Sequence, residues 1–201
     1  MKRQLLPGAI AGILIASGVA VIPAAQATEQ LKLAVDANIT DGTCSVAVLE
    51  GESPTNTIAF SNVYISEVFA KTQVKPFKLR FSNCAGLVDK KATVSLAPAP
   101  GIRCAGGTTT NAEFSNASSS TTKATKSAVE VWTTETPEGA GSTQFHCYVT
   151  NPQTVDLSSA SANTPVDYPL SARMVPVTGS SINELTAGDF YSPTVFTVTY
   201  Q

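Results

Sequence analysis

The chain has 201 residues, of which 43% are hydrophobic and 14% are charged, and its formal net charge at pH 7 is −2. This length can bury a substantial core as one domain, and the composition is unlike that of a disordered protein. The weak negative charge excludes the strongly basic surface that nucleic-acid and anionic-membrane binders use.

The N-terminus has the pattern of a secretory signal peptide over residues 1–27. Lys2 and Arg3 precede an uncharged apolar stretch, and Ala25-Gln-Ala27 has the small residues of a cleavage site. An uncleaved membrane anchor is the alternative, although Pro7 and several glycines interrupt the apolar stretch. We expect export and cleavage after Ala27.

Four cysteines in an exported chain favour disulfide bonds. Three pairings are possible, and we expect Cys44 with Cys84 and Cys104 with Cys147, because each pair closes a long loop worth about 4 kcal/mol. A zinc site is the alternative. It is disfavoured because no Cys-x-x-Cys occurs and His146 is the only histidine, so we expect neither a metal nor another cofactor.

The remaining chain predicts an all-β fold. Apolar residues alternate with period two, and no window of helical length keeps an apolar stripe at helical spacing. Turn residues separate the alternating segments at short intervals, which is typical of a β-sandwich. The predicted strands cover residues 31–39, 44–49, 57–60, 77–82, 92–96, 128–133, 144–149, 168–175 and 190–200.

Residues 105–126 are low in complexity, with Phe114 as their only large apolar residue. This composition predicts a mobile surface loop that adds little to the core, tethered at Cys104. A receptor-binding loop would have the same composition.

Two segments, one near each end of the expected exported chain, are predicted strands with distinctive patterns. Residues 31–39 place Leu31, Leu33, Val35, Ala37 and Ile39 on one face, which by itself predicts the first strand of an ordinary sandwich. Residues 190–200 place Phe190, Phe196, Val198 and Tyr200 on one face, one residue before the last residue given. A strand in that position indicates contact with a partner chain, and an unpartnered edge strand is the alternative.

No catalytic constellation is evident. His146 lies beside a cysteine expected in a disulfide, and Glu135 and Glu138 flank Pro137 in a predicted turn. Trp132 fits either the core or a sugar-stacking surface, and core burial is the commoner fate. We therefore expect a protein that is not an enzyme.

Four features together resemble the fimbrial (pilin) subunits of the chaperone-usher pathway. They are the alternating segment before Cys44, the apolar strand of residues 77–84 that ends in Cys84, the sequence Ala172-Arg-Met174, and a C-terminal strand with Gly188 and Tyr200. The resemblance covers the whole exported chain. It departs from many family members at Ala37, where they have glycine.

The resemblance implies an incomplete immunoglobulin-like sandwich that lacks its final strand, with residues 28–42 as an N-terminal donor-strand extension and residues 43–201 as the pilin domain. The apolar residues of the extension, Leu31, Leu33, Val35, Ala37 and Ile39, would fill a groove in a neighbouring subunit, which is β-strand addition between chains. The strand carrying Gly188, Phe190, Phe196, Val198 and Tyr200 would form the edge of the chain's own groove. A periplasmic chaperone, an outer-membrane usher and other fimbrial subunits are the implied partners, and the cell surface is the implied destination.

Two other functions remain open at this stage. The first is a fimbrial subunit that itself binds a host or surface receptor through exposed loops. The second is an autonomous secreted β-sandwich, such as a carbohydrate-binding module, which would fold alone as a stable monomer.

Overall fold

The computed structural model of the protein describes residues 41–107 and 111–201. The predicted signal peptide of residues 1–27 and the predicted donor strand of residues 31–39 lie outside these residues. Within them the all-β prediction is confirmed, because ten strands and a single one-turn helix, α1 (Ile65–Phe69), make up the regular structure together with two short 3-10 turns. No helix in these two ranges is long and apolar enough to span a membrane.

Two antiparallel sheets pack face to face around one core. The first has the order β2-β1-β3-β9-β6, with β5 and β7 both paired to β6, and the second has the order β10-β4-β8. The strand bounds are β1 Thr43–Glu50, β2 Ser53–Pro54, β3 Val74–Ala85, β4 Lys91–Pro98, β5 Phe114–Ser115, β6 Ser127–Trp132, β7 Gln144–Phe145, β8 Gln153–Asp156, β9 Val166–Pro176 and β10 Thr194–Tyr200.

The core forms where the alternating apolar faces of the two sheets meet. Phe77, Leu79 and Phe81 of β3 face Val94 and Leu96 of β4, and all five side chains are buried. Because successive side chains on a strand point to opposite faces, the period-two pattern of the sequence places these residues inside.

Two disulfides join distant parts of the sandwich, and both are the pairs expected from the sequence. Cys44 at the start of β1 is bonded to Cys84 at the end of β3, and Cys104 is bonded to Cys147. The hydroxyl of Tyr200 donates a hydrogen bond of 2.9 Å to the carbonyl oxygen of Cys44, so the end of β10 is also fixed at the first disulfide.

Three predicted strands differ in the structure. Residues 144–149 form a strand only at Gln144–Phe145, because the Asn151 side chain accepts from the His146 amide and donates to the Gln144 carbonyl, which closes a turn instead. Residues 57–60 have no strand partner among the described residues. The last strand begins at Thr194 rather than at residue 190, after Pro193, which has no amide hydrogen to donate.

The low-complexity segment adds little to the core beyond Phe114, as expected, but its backbone is tied to the rest of the fold more extensively than its composition predicts. Phe114 pairs with Val129 of β6 and is only 1% exposed, and Ala105 is also buried. Residues 116–125 are hydrogen-bonded along residues 184–191. Backbone pairing supplies the order that the small side chains do not.

Candidate functional site

A prominent concave feature of the described residues is an apolar groove of about 840 Å³ between β10 and the segment 56–63. Its floor is formed by the inner face of the first sheet together with one residue of α1 and one residue after the 3-10 turn Ile182–Glu184. The buried apolar side chains that line it are Phe77, Val129, Val131, Ala172 and Met174 of the sheet, Val68 of α1 and Leu185. A surface of this kind is suited to binding apolar side chains from another segment.

One wall of the groove is β10, whose apolar face is incompletely covered. Phe196, Val198 and Tyr200 are half-buried, whereas the alternate residues of the strand are exposed. The Phe196 ring lies 6.4 Å from that of Phe77 and 6.1 Å from that of Phe145, measured between ring centroids, so it connects the two sheets beside the groove.

The backbone of β10 has one free edge. The Ala99 amide donates to the Pro193 carbonyl and the Gln201 amide donates to the Lys91 carbonyl, so the odd-numbered residues between them face β4. The amide and carbonyl groups of Thr194, Phe196, Val198 and Tyr200 therefore face away from β4. Within the described ranges no strand pairs with this edge, so it can accept another strand.

The opposite wall is the segment 56–63. Ile58, Phe60 and Val63 are half-buried and pack against the core, while Thr57 and Ala59 point outward. The alternation that predicted a strand here is present, but its pairing partner is absent from the described part of the chain. A strand inserted in the groove would lie between this segment and β10.

One end of the groove is closed by residues 185–191, which run from the side of α1 to β10. The 3-10 turn Ile182–Glu184, just before them, contacts α1, and Leu185 to Tyr191 all line the groove. We call residues 185–191 the closing segment. It continues into β10 through Ser192 and Pro193.

Asn116 fixes the closing segment with its side chain. Its amide nitrogen donates to the carbonyl oxygens of Asp189, at 2.8 Å, and Ala124, at 2.9 Å. Its amide oxygen accepts from the backbone amide of Tyr191 at 3.1 Å. The low-complexity segment therefore supports one end of the groove, which its composition did not indicate.

Gly188 is required by a close approach of two backbones. Its φ angle is +151°, and a Cβ atom there would overlap the Thr122 carbonyl oxygen and lie 2.7 Å from the Ala124 nitrogen. Glycine has no Cβ atom and adopts a positive φ angle without strain, so it is the only residue that fits this position. The glycine that marks this position in the sequence thus holds the closing segment against residues 122–124.

The face of β6 and β9 that points away from the groove is covered by side chains of the chain itself. Arg173 of β9 is 6% exposed and donates from Nη2 to Glu130, at 2.6 Å, and to Glu138, at 2.6 Å. The Trp132 indole also donates to Glu130, and the Arg173 guanidinium lies 5.4 Å from the centre of the Trp132 ring. The bond from Arg173 lowers the pKa of Glu138, so this carboxylate has a structural partner.

Of the predicted groove-edge residues, Gly188, Phe190 and Phe196 line the groove. Val198 and Tyr200 continue the same face of β10 as Phe196 but are not part of the groove lining. Their role in binding another chain stays a prediction. The predicted donor residues 31–39 are not in the described part, so no contact between them and a groove is observed. The sequence reasoning predicted an ordinary strand over residues 57–60 and missed its role as a groove wall. It also missed Asn116 as a support, because a single asparagine carries no pattern.

The described residues around the groove can also be compared with the side-chain clusters that bind metal ions. Within residues 41–107 and 111–201, no three His, Cys, Asp or Glu side chains cluster closely enough to hold a metal ion. His146 is exposed in the turn closed by Asn151.

Comparison with known proteins gives one relative along the full length. The chain is 38% identical over 199 residues to the fimbrial-like protein YadL of Escherichia coli (strain K12), covering 98% of both chains. No protein-family model matches the sequence.

Two solved structures show a more distant likeness. The P pilus rod subunit PapA is 20% identical, with a TM-score of 0.48, over 79% of this chain and 99% of its own. The CupB6 tip adhesin of Pseudomonas aeruginosa is 18% identical, with a TM-score of 0.45, over 63% of this chain and 30% of its own. The family of this chain is therefore assigned from the full-length relative and not from these two structures.

The match to that relative spans nearly the whole chain, so it covers the entire described region. Fimbrial membership implies an exported surface protein that assembles with other fimbrial subunits and is not an enzyme. The chain therefore belongs to the family of fimbrial (pilin) subunits.

Proposed function

We propose that this chain is a structural subunit that polymerises by donor-strand exchange and, as part of a fimbria, contributes to cell adhesion. Its groove accepts a strand from a neighbouring subunit, and its own residues 31–39 enter the groove of the next. The observation that carries the proposal is the free edge of β10 beside an apolar floor. That edge offers backbone hydrogen bonds, and the floor offers contacts for side chains on alternate positions only.

The sequence of the extension has the form such a groove accepts. Leu31, Leu33, Val35 and Ile39 alternate with polar or small residues. Burying these four side chains contributes roughly 1.5 to 3 kcal/mol each before ordering costs are subtracted. The ladder hydrogen bonds add to this, so we expect the inserted strand to dissociate very slowly.

Assembly needs protection of the groove before a neighbour fills it. We infer that residues 1–27 direct export and are cleaved, and that a periplasmic chaperone covers β10 and the groove floor. An outer-membrane usher then exchanges the chaperone for the extension of another subunit. Half-buried apolar side chains along the groove walls, beside a free strand edge, make aggregation favourable, which is the physical reason for a chaperone.

A matched pair of substitutions in the extension tests the exchange. Val35→Asp and Asn38→Asp each add one negative charge, but only position 35 lies on the apolar face of the alternating pattern. We expect Val35→Asp to abolish incorporation into fibres, because it places a carboxylate in an apolar groove. Asn38→Asp should leave incorporation close to wild type.

The readout is the amount of subunit in isolated surface fibres, compared with the amount in the periplasm. Equal incorporation of the two variants would contradict the proposed role of residues 31–39. Loss of both variants from the periplasm would show that the extension is needed for folding rather than for exchange, and this also contradicts the proposal.

A further inference from the structure

The groove ends partway along β10. Of the residues whose backbone faces away from β4, those up to Phe196 line the groove, whereas Val198 and Tyr200 do not. The strand β1 shows the same boundary, because Val48 lines the groove and Val46 does not. Half of the edge that β10 offers to another strand therefore lies beyond the open groove, toward the first disulfide.

The strand β1 also has a free edge in this part of the sandwich. The Val48 carbonyl accepts from the Thr55 amide and the Cys44 carbonyl accepts from the Tyr200 hydroxyl, so both carbonyls point away from β3. By alternation the backbone groups of Val46 point the same way, and in the described ranges no strand pairs with them. Two incompletely paired edges, one from each sheet, thus border this side of the sandwich.

Tyr200 connects these two edges. Its ring is half-buried on the apolar face of β10, and its hydroxyl reaches β1, where it donates the 2.9 Å bond to the Cys44 carbonyl. The ring therefore takes up space on the apolar side of the edge, where the inward-pointing side chains of an added strand would have to lie. Val46, two residues along β1, is 37% exposed although it shares a face with Cys44 and Val48, so apolar surface remains to be covered there.

We propose that Tyr200 is a latch that keeps the disulfide end of the β10 edge closed until the donor strand of a neighbouring subunit displaces it. The strand enters the open groove beside Phe196. It extends past the latch only when it is long enough to replace the bond between Tyr200 and Cys44 with its own backbone bonds and apolar contacts. A short apolar segment gains the open part alone, so the latch favours complete donor strands. This inference rests on the proposed strand exchange and adds to it a residue that controls the exchange.

Removing the latch hydroxyl tests the inference. The full exported chain, as wild type, Tyr200→Phe or Tyr168→Phe, is refolded and its affinity for a fluorescent peptide of residues 31–40 is measured. Phenylalanine keeps the ring but not the bond to Cys44. Tyr200→Phe should therefore bind the peptide about two- to tenfold more tightly, the equivalent of one ordinary hydrogen bond that no longer has to be broken. Tyr168 is half-buried in β9 and does not line the groove, so Tyr168→Phe should bind like wild type.

A second measurement follows the latch without removing it. In the wild-type chain labelled with fluorotyrosine, the fluorine NMR resonance of Tyr200 should shift when the peptide saturates the groove, because the phenol then leaves the Cys44 carbonyl. The resonance of Tyr168 should stay in place. Single Tyr→Phe variants assign the two resonances.

Equal or weaker binding of the peptide to Tyr200→Phe would overturn the inference and leave strand exchange intact, because a bond with a purely structural role is kept when the peptide binds. A Tyr200 resonance that does not move at saturation would also overturn it. Failure of the peptide to bind any of the three chains would contradict strand exchange itself, so the two failures are distinguishable.

Discussion

The chain covers the outer face of β9 with its own side chains, whereas part of the inner face lines an open groove. On the outer face, Arg173 is buried with Glu130, Glu138 and Trp132 of the same chain. On the inner face, Ala172 and Met174 form part of the floor of an open groove. The comparison shows that the chain supplies its own partners on one side, and we infer that it leaves the other side to a neighbouring subunit.

The largest effect should come from breaking the outer face. Arg173→Met leaves Glu130 buried with only Lys71, 3.9 Å away, as a cation, and should lower the free energy of unfolding by about 3 to 5 kcal/mol, measured by urea denaturation. The double variant Glu130→Met with Arg173→Met should recover most of this loss, because it removes the poorly compensated buried charge. A single variant as stable as wild type would show that the outer network does not hold the strands together.

The groove should respond differently with and without a bound strand. Ile58→Ala, at a half-buried residue of the groove wall, should lower the free energy of unfolding by about 2 to 4 kcal/mol when a peptide of residues 31–40 fills the groove, because it then creates a cavity. Without peptide the loss should be clearly smaller. Leu170→Ala, at a core residue that is 0% exposed, is the control and should cost the same in both states. Equal costs of Ile58→Ala in the two states would contradict the role of the groove.

The closing segment can be tested at Gly188. Gly188→Ala should destabilise the protein by about 1 to 3 kcal/mol, because it combines a positive φ angle with overlap against residues 122–124. Gly179→Ala is a suitable control, since Gly179 has φ of +83° but an added Cβ would meet nothing within 4 Å. Chemical denaturation should rank the loss at Gly188 above that at Gly179, and the reverse order would contradict the close approach.

The smallest effect concerns the surface ion pairs of Asp167 with Lys78 and Arg80, on the outer face of β3 and β9. Hydrogen bonds from Arg80 and then Lys78 lower the pKa of Asp167 to about 2, below its ordinary value of 3.8. A carboxyl whose pKa is lower in the folded state adds stability above its ordinary pKa, and this stability is lost as the pH falls. Because solvent screens the pair, Asp167→Asn should remove about 1 kcal/mol at pH 7.

As the pH falls from 4 to 2, the Asp167→Asn variant should lose less stability than the wild type, measured by thermal unfolding. Glu50→Gln is a control for a nearby carboxylate, since Glu50 pairs only with Lys75 at 3.8 Å. An unchanged slope in Asp167→Asn would show that Asp167 is not linked to folding.

Much of the fold follows from local patterns. The alternation in β1, β3, β4 and β9 predicts strands, since one face of each strand is apolar and enters the core. The burial of Arg173 was not predictable, because its partners Glu130 and Glu138 come from other parts of the chain. Nor was the one-turn helix α1, which is too short for periodicity and is closed by a bond from the Tyr64 amide to the Glu67 side chain.

The candidate site was predictable only in part. The edge strand could be recognised from Phe196, Val198 and Tyr200, because a single strand contains the whole pattern. The closed end could not, because it depends on Asn116 reaching the closing segment across a long separation in sequence. Low complexity indicated a loop, whereas backbone pairing between residues 116–125 and 184–191 determines its structure.

Amide hydrogen exchange along β10 tests the central claim most directly. In the chain without peptide, the amides of Phe196, Val198 and Tyr200 should exchange faster than those of Thr197 and Thr199, which face β4. Adding the peptide of residues 31–40 should protect the first group selectively, because its backbone pairs with the free edge. Protection of the first group without peptide, or no change on adding it, would contradict the account of β10 as an edge completed by another chain.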